Sequence, residues 1–307
     1  MSKRTSRSSF LTLVATGLCG VACDDSLKNV SLIEETRVLG ARVESDSDTT
    51  DAAPKPGEPA SLRLFVAAPN GTPNFSYAIS LCAVELTNLG FPACAGAPFA
   101  STERLTASHA DARLDFVVPA DIDWQATPHA FARGLICPDS ELTTAADGSH
   151  GCVSGSGKEM GFEFSLGGGK DSNQNPAFGD DSFLLDGEPW LASPEASCDS
   201  GSLPQVAAKS VHSLRITLGD ENFEPLAQAT SVDPAREMLL VSPFSSAGKL
   251  NHGFLSLSAD TPPEQRRVDW SAPALPDGLP SLVRFYFVVR DARSGEDFTR
   301  RALCVVP

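Results

Sequence analysis

The sequence has no apolar run long enough to cross a membrane, and it has little positive charge. Its uncharged N-terminal stretch, Ser8–Ala22, covers only 15 residues, whereas a spanning helix needs about 20 apolar residues. Lys and Arg number 24 against 39 Asp and Glu, which gives a formal net charge of −15. Because phosphate binding needs a basic surface, this balance argues against nucleic acid as a partner.

Sequence motifs for several kinds of chemistry are also missing. There is no HExxH for a zinc peptidase and no CxxC for zinc or thiol redox chemistry. Ser154 and Ser156 do not fit GxSxG, and no Gly-Lys pair has the preceding glycine of a Walker loop. We therefore expect no catalytic site and no cofactor. The alternative is a hydrolase or carbohydrate-active enzyme whose site is assembled from distant residues.

The first 22 residues have the pattern of a bacterial export signal. Lys3, Arg4 and Arg7 form a basic start, and "FLTLVATGL" forms a short apolar centre. Removal of this segment takes away no acidic residue, so the mature chain carries 21 basic against 39 acidic residues. Anionic lipid headgroups repel such a chain, so any membrane attachment is expected to be covalent.

The stretch "GVACDD" places Cys23 directly after this segment. "GVAC" resembles the lipobox of bacterial lipoproteins, in which small residues precede a cysteine that is acylated and becomes the first residue. Gly20 departs from that pattern, because a larger aliphatic residue is commoner there. The competing Cys19 follows Leu18, which suits a small-residue processing site poorly. We predict lipidation of Cys23 and a membrane anchor at this residue; an ordinary secretory signal with an incidental cysteine is the alternative.

Six further cysteines follow in the mature chain. An exported chain folds in an oxidising compartment, so an even number of cysteines predicts disulfides. The count alone leaves several connectivities open. Short loops favour two pairs and leave a third: Cys82–Cys94, Cys137–Cys152 and Cys198–Cys304.

Alternating apolar residues indicate β-structure along most of the chain. In "SLRLFV", Leu62, Leu64 and Val66 share one face, while Arg63 and Phe65 take the other. Short segments of this kind are separated by Gly, Pro and Asn turns, and "LVRFYFVVR" and "FTRRALCVV" predict a C-terminal hairpin.

The predicted fold is all-β, with two immunoglobulin-like β-sandwich domains after a lipoprotein signal peptide and a flexible tether. The predicted boundaries are 1–22 for the signal peptide, 23–55 for the tether, 56–168 for the first sandwich, 169–207 for an acidic loop or linker and 208–307 for the second sandwich.

The acidic segment 171–199 holds the best candidate for a metal site. Asp171, Asn173 and Asn175 mimic the first ligands of an EF-hand, but Pro176 and Ser182 stand where that loop needs glycine and glutamate. The alternative without a metal site is a solvated acidic loop or linker. An irregular calcium site remains as a hypothesis, with these ligands: Asp171, Asn173, Asp180 and Asp181.

Five stretches together resemble surface lipoproteins of myxobacteria and their relatives: Arg37–Arg42, Pro56–Glu58, Ser80–Cys82, Val268–Pro273 and Phe285–Val306. The resemblance implies immunoglobulin-like domains and a lipid anchor in the bacterial cell envelope, at the outer membrane. It implies no chemistry. We therefore expect a non-catalytic binding or structural module, with other envelope proteins or glycans as partners. A calcium-dependent adhesion module is a further alternative.

Overall fold

Seven stretches of the chain are described by the computed structural model: residues 30–86, 92–109, 111–124, 129–167, 173–193, 197–226 and 236–307. They form twenty strands and three single-turn 3-10 helices, Cys198–Ser200, Asp220–Asn222 and Pro263–Gln265. Within these stretches no helix is long and apolar enough to cross a membrane. Cys23 and the rest of the predicted signal segment lie outside the described residues.

The first sandwich packs a three-stranded sheet against a five-stranded one. Its strands are β1 Arg37–Ser45, β2 Pro59–Ala67, β3 Phe75–Leu86, β4 Pro92–Cys94, β5 Ala100–Ser108, β6 Ala112–Val117, β7 His129–Pro138, β8 Leu142–Thr144, β9 His150–Cys152 and β10 Lys158–Ser165. The smaller sheet has the order β1–β2–β6; the larger has β10–β7–β3, with β4 and β5 both paired to β3. Strands β8 and β9 form a separate hairpin.

The second sandwich packs two five-stranded sheets. Its strands are β11 Phe183–Leu185, β12 Glu188–Pro189, β13 Gln205–Ala207, β14 Val211–Ile216, β15 Leu239–Ser245, β16 Lys249–Leu250, β17 Leu255–Leu257, β18 Arg267–Ser271, β19 Ser281–Arg290 and β20 Glu296–Val306. The sheet orders are β12–β11–β14–β18–β16 and β13–β20–β19–β15–β17. The predicted C-terminal hairpin is β19–β20, which is paired over ten positions.

Both sandwiches have an immunoglobulin-like strand order, which confirms the predicted fold class. In that fold the first, second and fifth strands share a sheet, and the third, sixth and seventh form the other. Strands β1, β2 and β6 and strands β3, β7 and β10 take these places in the first sandwich. In the second, β11, β14 and β18 face β15, β19 and β20, and β13 adds in parallel to β20.

The two sandwiches meet through a small apolar core of their own, which we call the joint. It lies between the outer face of β1–β2 and the outer face of β15–β19–β20. Phe65 stacks on Phe298 with 4.4 Å between ring centroids, and Tyr286 meets Phe65 edge-on. Because β19 therefore buries both of its faces, the molecule is a stack of four sheets. The members of the joint are Ile33, Leu39, Phe65, Ala67, Tyr286 and Val288, with Phe244 and Phe298 packed against them.

Two of the predicted domain boundaries shift in the structure. Strand β1 belongs to the predicted tether, yet it pairs with β2 along its length, because its alternating apolar residues face the first core. Strands β11, β12 and β13 belong to the predicted acidic linker, yet they complete the second sandwich. Trp190, from the same linker, is 1% exposed, and its indole N–H donates to the Ala302 carbonyl.

All three disulfides favoured by the spacing are present: Cys82–Cys94, Cys137–Cys152 and Cys198–Cys304. The first ties β3 to β4, the second ties β7 to β9, and the third ties the turn Cys198–Ser200 to β20. The first two therefore lie in the first sandwich: the first within its larger sheet and the second between that sheet and the β8–β9 hairpin.

Candidate functional site

A groove of about 630 Å³ crosses the exposed face of the larger sheet in the first sandwich. It takes two or three residues from each of β3, β5, β7 and β10, so it runs across the strands and not along them. We call it the outer groove. The side chains that give it chemical character are Ser80, Glu103, Arg133, Leu135, His150 and Glu159.

The strand register arranges the floor of the outer groove in rows. Ala78 pairs with Glu103 on one side and with Leu135 on the other, and Leu135 pairs in turn with Glu159. The first row therefore has a carboxylate at each end and two apolar residues between. The two outer positions are three strand spacings apart, or about 14 Å. The next row reads Ser101, Ser80, Arg133, Gly161.

A disulfide fastens the hairpin wall of the outer groove to the floor. The β8–β9 hairpin forms this wall, and Cys152 on the hairpin bonds to Cys137 on β7. Pro98 lines the groove from the connection that follows β4, and Cys94 on β4 bonds to Cys82 on β3, the neighbouring strand of the same sheet. The Ser76 hydroxyl adds a second tie to the hairpin side by donating to the Ser140 carbonyl at 2.7 Å.

The charged groups of the outer groove have weak partners and face solvent. The Glu103 side chain is 44% exposed and lies 3.6 Å from His150 Nε2. Arg133 is exposed and its Nε donates to the Ser80 hydroxyl at 3.4 Å, while Glu159 is exposed at the far end of the row. Side chains held this loosely can change partner at small cost, which is what ligand recognition requires.

The groove residues were not identified from the sequence, although one signal was available. Alternation places Ala132 and Ile136 in the core, so Cys137 points to the opposite, outer face. A cysteine on the solvent side of a strand indicates that a loop is held over that face. The row of Glu103 and Glu159 depends on cross-strand register, which the sequence alone does not give.

A second cluster has the arrangement of a Ser–His–Asp triad. Asp186 Oδ2 lies 2.6 Å from His212 Nδ1, and His212 Nε2 lies 2.5 Å from Ser210 Oγ. Burial raises the pKa of Asp186, but hydrogen bonds from His212 and from the Ser213 N–H outweigh it and leave that pKa below its usual value. A neutral His212 held in this way presents its Nε2 lone pair to the serine hydroxyl.

The surroundings of Ser210 do not supply the rest of an acyl-transfer site. The Ser210 hydroxyl also contacts the Ala207 carbonyl, which competes for its proton. An oxyanion hole needs free N–H groups, and loss of one donor costs about 10²- to 10³-fold in rate. Three successive N–H groups here already donate to backbone carbonyls: Ala208 to Val306, Lys209 to Pro273 and Ser210 to Ala207.

The cluster has a clear structural role. Asp186 begins the β11–β12 turn, and its carboxylate also accepts the Ser213 N–H at 2.8 Å. It therefore fastens that turn to β14. The spacing Ser-x-His at 210–212, which puts both side chains on one face of an extended chain, is the only sequence signal for this cluster.

The proposed calcium ligands are partly used elsewhere in the structure. Asn173 is 3% exposed and its side-chain amide donates to the Arg293 carbonyl at 3.1 Å. Asp180 and Asp181 are exposed, and Asp171 lies outside the described residues. Within the described part of the chain, no group of three His, Cys, Asp or Glu side chains could hold a metal ion. The calcium site stays a prediction.

Buried carboxylates gather instead at the edge of the joint. Glu296 is 4% exposed, accepts from Arg290 Nε at 2.6 Å and packs against Gly40, where an added Cβ would lie 1.7 Å from its Oε1. Burial raises the pKa of Glu296 to about 7, against the opposing charge of Arg290. Burial also raises the pKa of Asp297, whose Oδ1 accepts a hydrogen bond from Arg42 Nη1 at 2.9 Å.

These groups connect the two sandwiches. Asn175 donates to the Val43 carbonyl at 2.8 Å and accepts the Glu296 N–H at 2.9 Å. Arg290 reaches the Leu39 carbonyl. Glu296 Oε1 is buried without a hydrogen-bond partner, but Arg42, Arg290 and Asn175 are all directed at groups within the protein. We therefore assign this cluster to the joint and not to a ligand site.

The chain matches no family model and no curated protein. Among solved structures it is similar to the two tandem V-type regions of a v-region-containing chitin binding protein, VCBP3, at 9% identity and a TM-score of 0.27, over 88% of this chain and 100% of that one. It is also similar to a marsupial T cell receptor, at 9% identity and a TM-score of 0.20, over 87% of this chain and 73% of the receptor.

A DUF4466 family protein from Parabacteroides merdae is similar at 10% identity and a TM-score of 0.22, over 90% of this chain and 100% of that one. TM-scores this low carry no argument about what the chain does. The immunoglobulin-like assignment therefore rests on the strand order of the two sandwiches.

Proposed function

We propose that this chain is a non-catalytic binding module of the bacterial cell envelope, anchored through a lipid on Cys23, and that its ligand contacts the outer groove. The observation that carries the proposal is the Cys137–Cys152 disulfide, which fastens the hairpin wall to floor strand β7, together with Cys82–Cys94, which joins β3 and β4 within the floor sheet. A groove fixed in advance loses little conformational entropy when a ligand enters it. Covalent reinforcement of the hairpin wall and of the floor sheet therefore supports a binding site here.

The N-terminal sequence and the disulfides support the proposed location. "GVACDD" supports acylation at Cys23, and three disulfides fit an oxidising compartment. The resemblance to myxobacterial surface lipoproteins favours the outer membrane. Labelling of cells with a palmitate analogue tests the anchor. We expect Cys23→Ala to abolish labelling and Cys19→Ala to preserve it; label retained in Cys23→Ala would contradict the proposal.

The outer groove is tested by photo-crosslinking in intact envelopes. A photoreactive residue replaces Ser149 on the exposed hairpin wall, and a matched one replaces Leu279, which is 69% exposed on the second sandwich. We expect a discrete adduct from position 149 that is absent from position 279. The same adducts from both positions would show that the groove is ordinary surface.

A second candidate function is hydrolysis of an ester at Ser210, which the distances within the Ser210–His212–Asp186 cluster favour. In such a reaction Ser210 Oγ attacks the ester carbonyl while its proton passes to His212 Nε2, and the C–O bond then breaks as His212 gives that proton to the leaving alcohol. Water, deprotonated by His212, releases the acyl group from Ser210 as the carboxylic acid. A fluorophosphonate probe tests it directly. Stoichiometric labelling that Ser210→Ala and His212→Gln both abolish would establish this candidate, and absence of labelling in the wild type would dismiss it.

A further inference from the structure

We infer that an exposed apolar patch on the second sandwich rests on the same lipid bilayer that holds the anchor at Cys23. We call it the edge patch. This inference rests on the proposed function, because it takes the lipid anchor as given and adds a second contact with the same membrane. The edge patch consists of four large apolar side chains that are between 38% and 68% exposed: Val30, Met238, Leu240 and Phe254.

The strand register brings three of these side chains together. Strand β17 is the edge of its sheet and pairs with β15, where Leu240 lies opposite Ser256. The Met238 sulfur contacts the Ser256 hydroxyl at 3.7 Å. Phe254 comes two residues before Ser256 on the same face, so it lies diagonally from Leu240, within reach of an aromatic ring. The neighbouring residues of both strands fill the second core.

Val30 joins the edge patch where the N-terminal chain enters the fold. The residues that follow it form a parallel bridge to β15. Ser31 lies next to Gly253, because a Cβ added to that glycine would be 3.2 Å from Ser31 Oγ. The chain therefore enters directly beside Phe254. Arg37 donates to the Val30 carbonyl at 2.8 Å, which fixes this point of entry.

The length of chain before Val30 determines what lies close to the edge patch. Cys23 is seven residues before Val30, and a fully extended chain of that length spans only about 25 Å. The acylated end of the chain lies at the lipid headgroups, so the entry point beside Phe254 stays within that distance of the bilayer. The predicted tether 23–55 would allow a wider separation, but β1 belongs to the first sandwich.

The chemistry of the edge patch fits a bilayer. The patch continues the joint, since the outer face of β15 is covered by the first sandwich at Phe244 and is open at Leu240. Clustered apolar side chains left open in this way mark an interaction site. At a membrane such side chains enter the boundary between headgroups and acyl chains to a depth of about 5–10 Å. The acidic mature chain gains nothing from lipid charge, so the contact depends on apolar burial.

The test uses the acylated, full-length mature chain in vesicles of phosphatidylcholine whose acyl chains carry bromine, which quenches indole fluorescence on contact. The three native tryptophans are buried, so the emission of an indole added at the surface is the difference from the wild type. We expect Phe254→Trp to lose about half of this added emission relative to unbrominated vesicles. The matched control, Leu279→Trp, is exposed elsewhere on the second sandwich and should keep its emission.

Further variants show whether the patch acts as a unit. In the Phe254→Trp protein, replacement of Met238 and Leu240 by serine should restore most of the lost emission, because the apolar surface around the indole is removed. Val211→Ser in the same protein is the control, since Val211 is equally exposed but lies on β14 of the other sheet. Added salt should leave the quenching unchanged, as expected for an apolar contact.

The outcomes separate this inference from the proposed function. A chain that is acylated and retained on the vesicles, but is unquenched at position 254, would overturn the docking and leave the anchor. If the Cys23→Ala mature chain also sediments as a dimer, the edge patch is a contact between two copies. Equal quenching at positions 254 and 279 would show that no face is preferred, which also overturns the inference. A chain that carries no acyl group and is not retained would overturn both. Selective quenching at position 254 supports both.

Discussion

The joint and the outer groove contain the same kinds of residues in opposite settings. At the joint Glu296 is 4% exposed, and its Oε2 accepts a hydrogen bond from Arg290 Nε at 2.6 Å. In the groove the Glu103 side chain is 44% exposed and has His150 only at 3.6 Å. The difference shows that charge type does not identify a functional site here. What distinguishes the groove is that its carboxylates are displayed without close partners on a floor that disulfides hold rigid.

The two regions also differ in what keeps them in place. The joint is held by aromatic packing, by Asn175 and by arginines that reach backbone carbonyls across it. The hairpin wall of the groove is a short piece of chain over a sheet, and a disulfide ties it to β7. Changes at the joint should therefore lower stability, and changes at the groove should lower binding.

The largest expected losses of stability come from removal of disulfides, and we expect them to differ between the two sandwiches. Replacement of Cys198 and Cys304 by serine opens a loop of 106 residues, and the chain-entropy model gives a loss of about 5 kcal/mol in the free energy of unfolding. Replacement of Cys137 and Cys152 opens a loop of only 15 residues, worth about 3 kcal/mol. Urea unfolding measures both losses.

In the crosslinking experiment we expect the opposite order: the less destabilised variant, which lacks Cys137 and Cys152, should lose more of the adduct. Because Cys198 and Cys304 lie in the second sandwich, the adduct at position 149 should persist in their double serine variant. It should be lost when Cys137 and Cys152 are replaced, since the hairpin wall is then released from β7. If both variants lose the adduct equally, the disulfide does not act on the groove locally.

The next largest loss of stability is expected from a substitution at the joint. Phe65 is 2% exposed and is stacked on Phe298, with the Arg300 guanidinium 5.2 Å from its ring. We expect Phe65→Ala to lower the free energy of unfolding by about 4 kcal/mol, because it removes a large buried ring and leaves a cavity. Urea denaturation measures this. Phe254→Ala is the control: its side chain is 61% exposed, so it should be nearly neutral.

The joint shows how far the sequence could predict the fold. Alternation correctly placed Leu62, Leu64 and Val66 on one face of β2, and all three are in the first core. It also put Phe65 on the other face, but alternation does not say whether a second face is exposed to solvent or covered by another domain. For the same reason the burial of Tyr286, on the second face of β19, could not be foreseen.

The linker predicted from composition for residues 171–199 was wrong, because a few apolar residues determine the structure of this segment. The segment 171–199 is acidic and rich in glycine and proline, which favours a linker. Yet Phe183 and Trp190 enter the second core, and Asn175 bridges the joint. A few apolar anchors outweigh many surface charges because each buried aromatic contributes far more than an exposed carboxylate. The outer groove was missed because its row depends on register, whereas the disulfide pairs that frame it followed from loop length.

A third prediction concerns pH. Burial raises the pKa of Glu296 from 4.5 to about 7. The folded state therefore binds a proton more tightly than the unfolded state between these values, so the free energy of unfolding falls as pH rises through this range. The loss attributable to Glu296 is about 3 kcal/mol. Glu296→Gln stays neutral, so its stability relative to the wild type should rise by about that amount from pH 4 to pH 8.

Urea denaturation of both proteins across this pH range measures the difference, in which buried carboxylates that do not act on Glu296 cancel. Those groups include Asp291 and Glu237, whose pKa values are also raised by burial. A difference that stays flat between pH 4 and pH 8 would mean that Glu296 titrates as an exposed glutamate and that the joint admits water.

The smallest expected effect is that of the same substitution, Glu to Gln, in the groove. It completes the comparison with the joint. Glu159 is exposed, so we expect Glu159→Gln to change the free energy of unfolding by less than about 0.5 kcal/mol at any pH between 4 and 8. Glu103→Gln should behave alike, since only the distant His150 is lost. A pH-dependent change as large as that of Glu296→Gln would show that these carboxylates serve the fold. Neutrality in stability, beside the large effect of Glu296→Gln, is what carboxylates kept for a ligand should give.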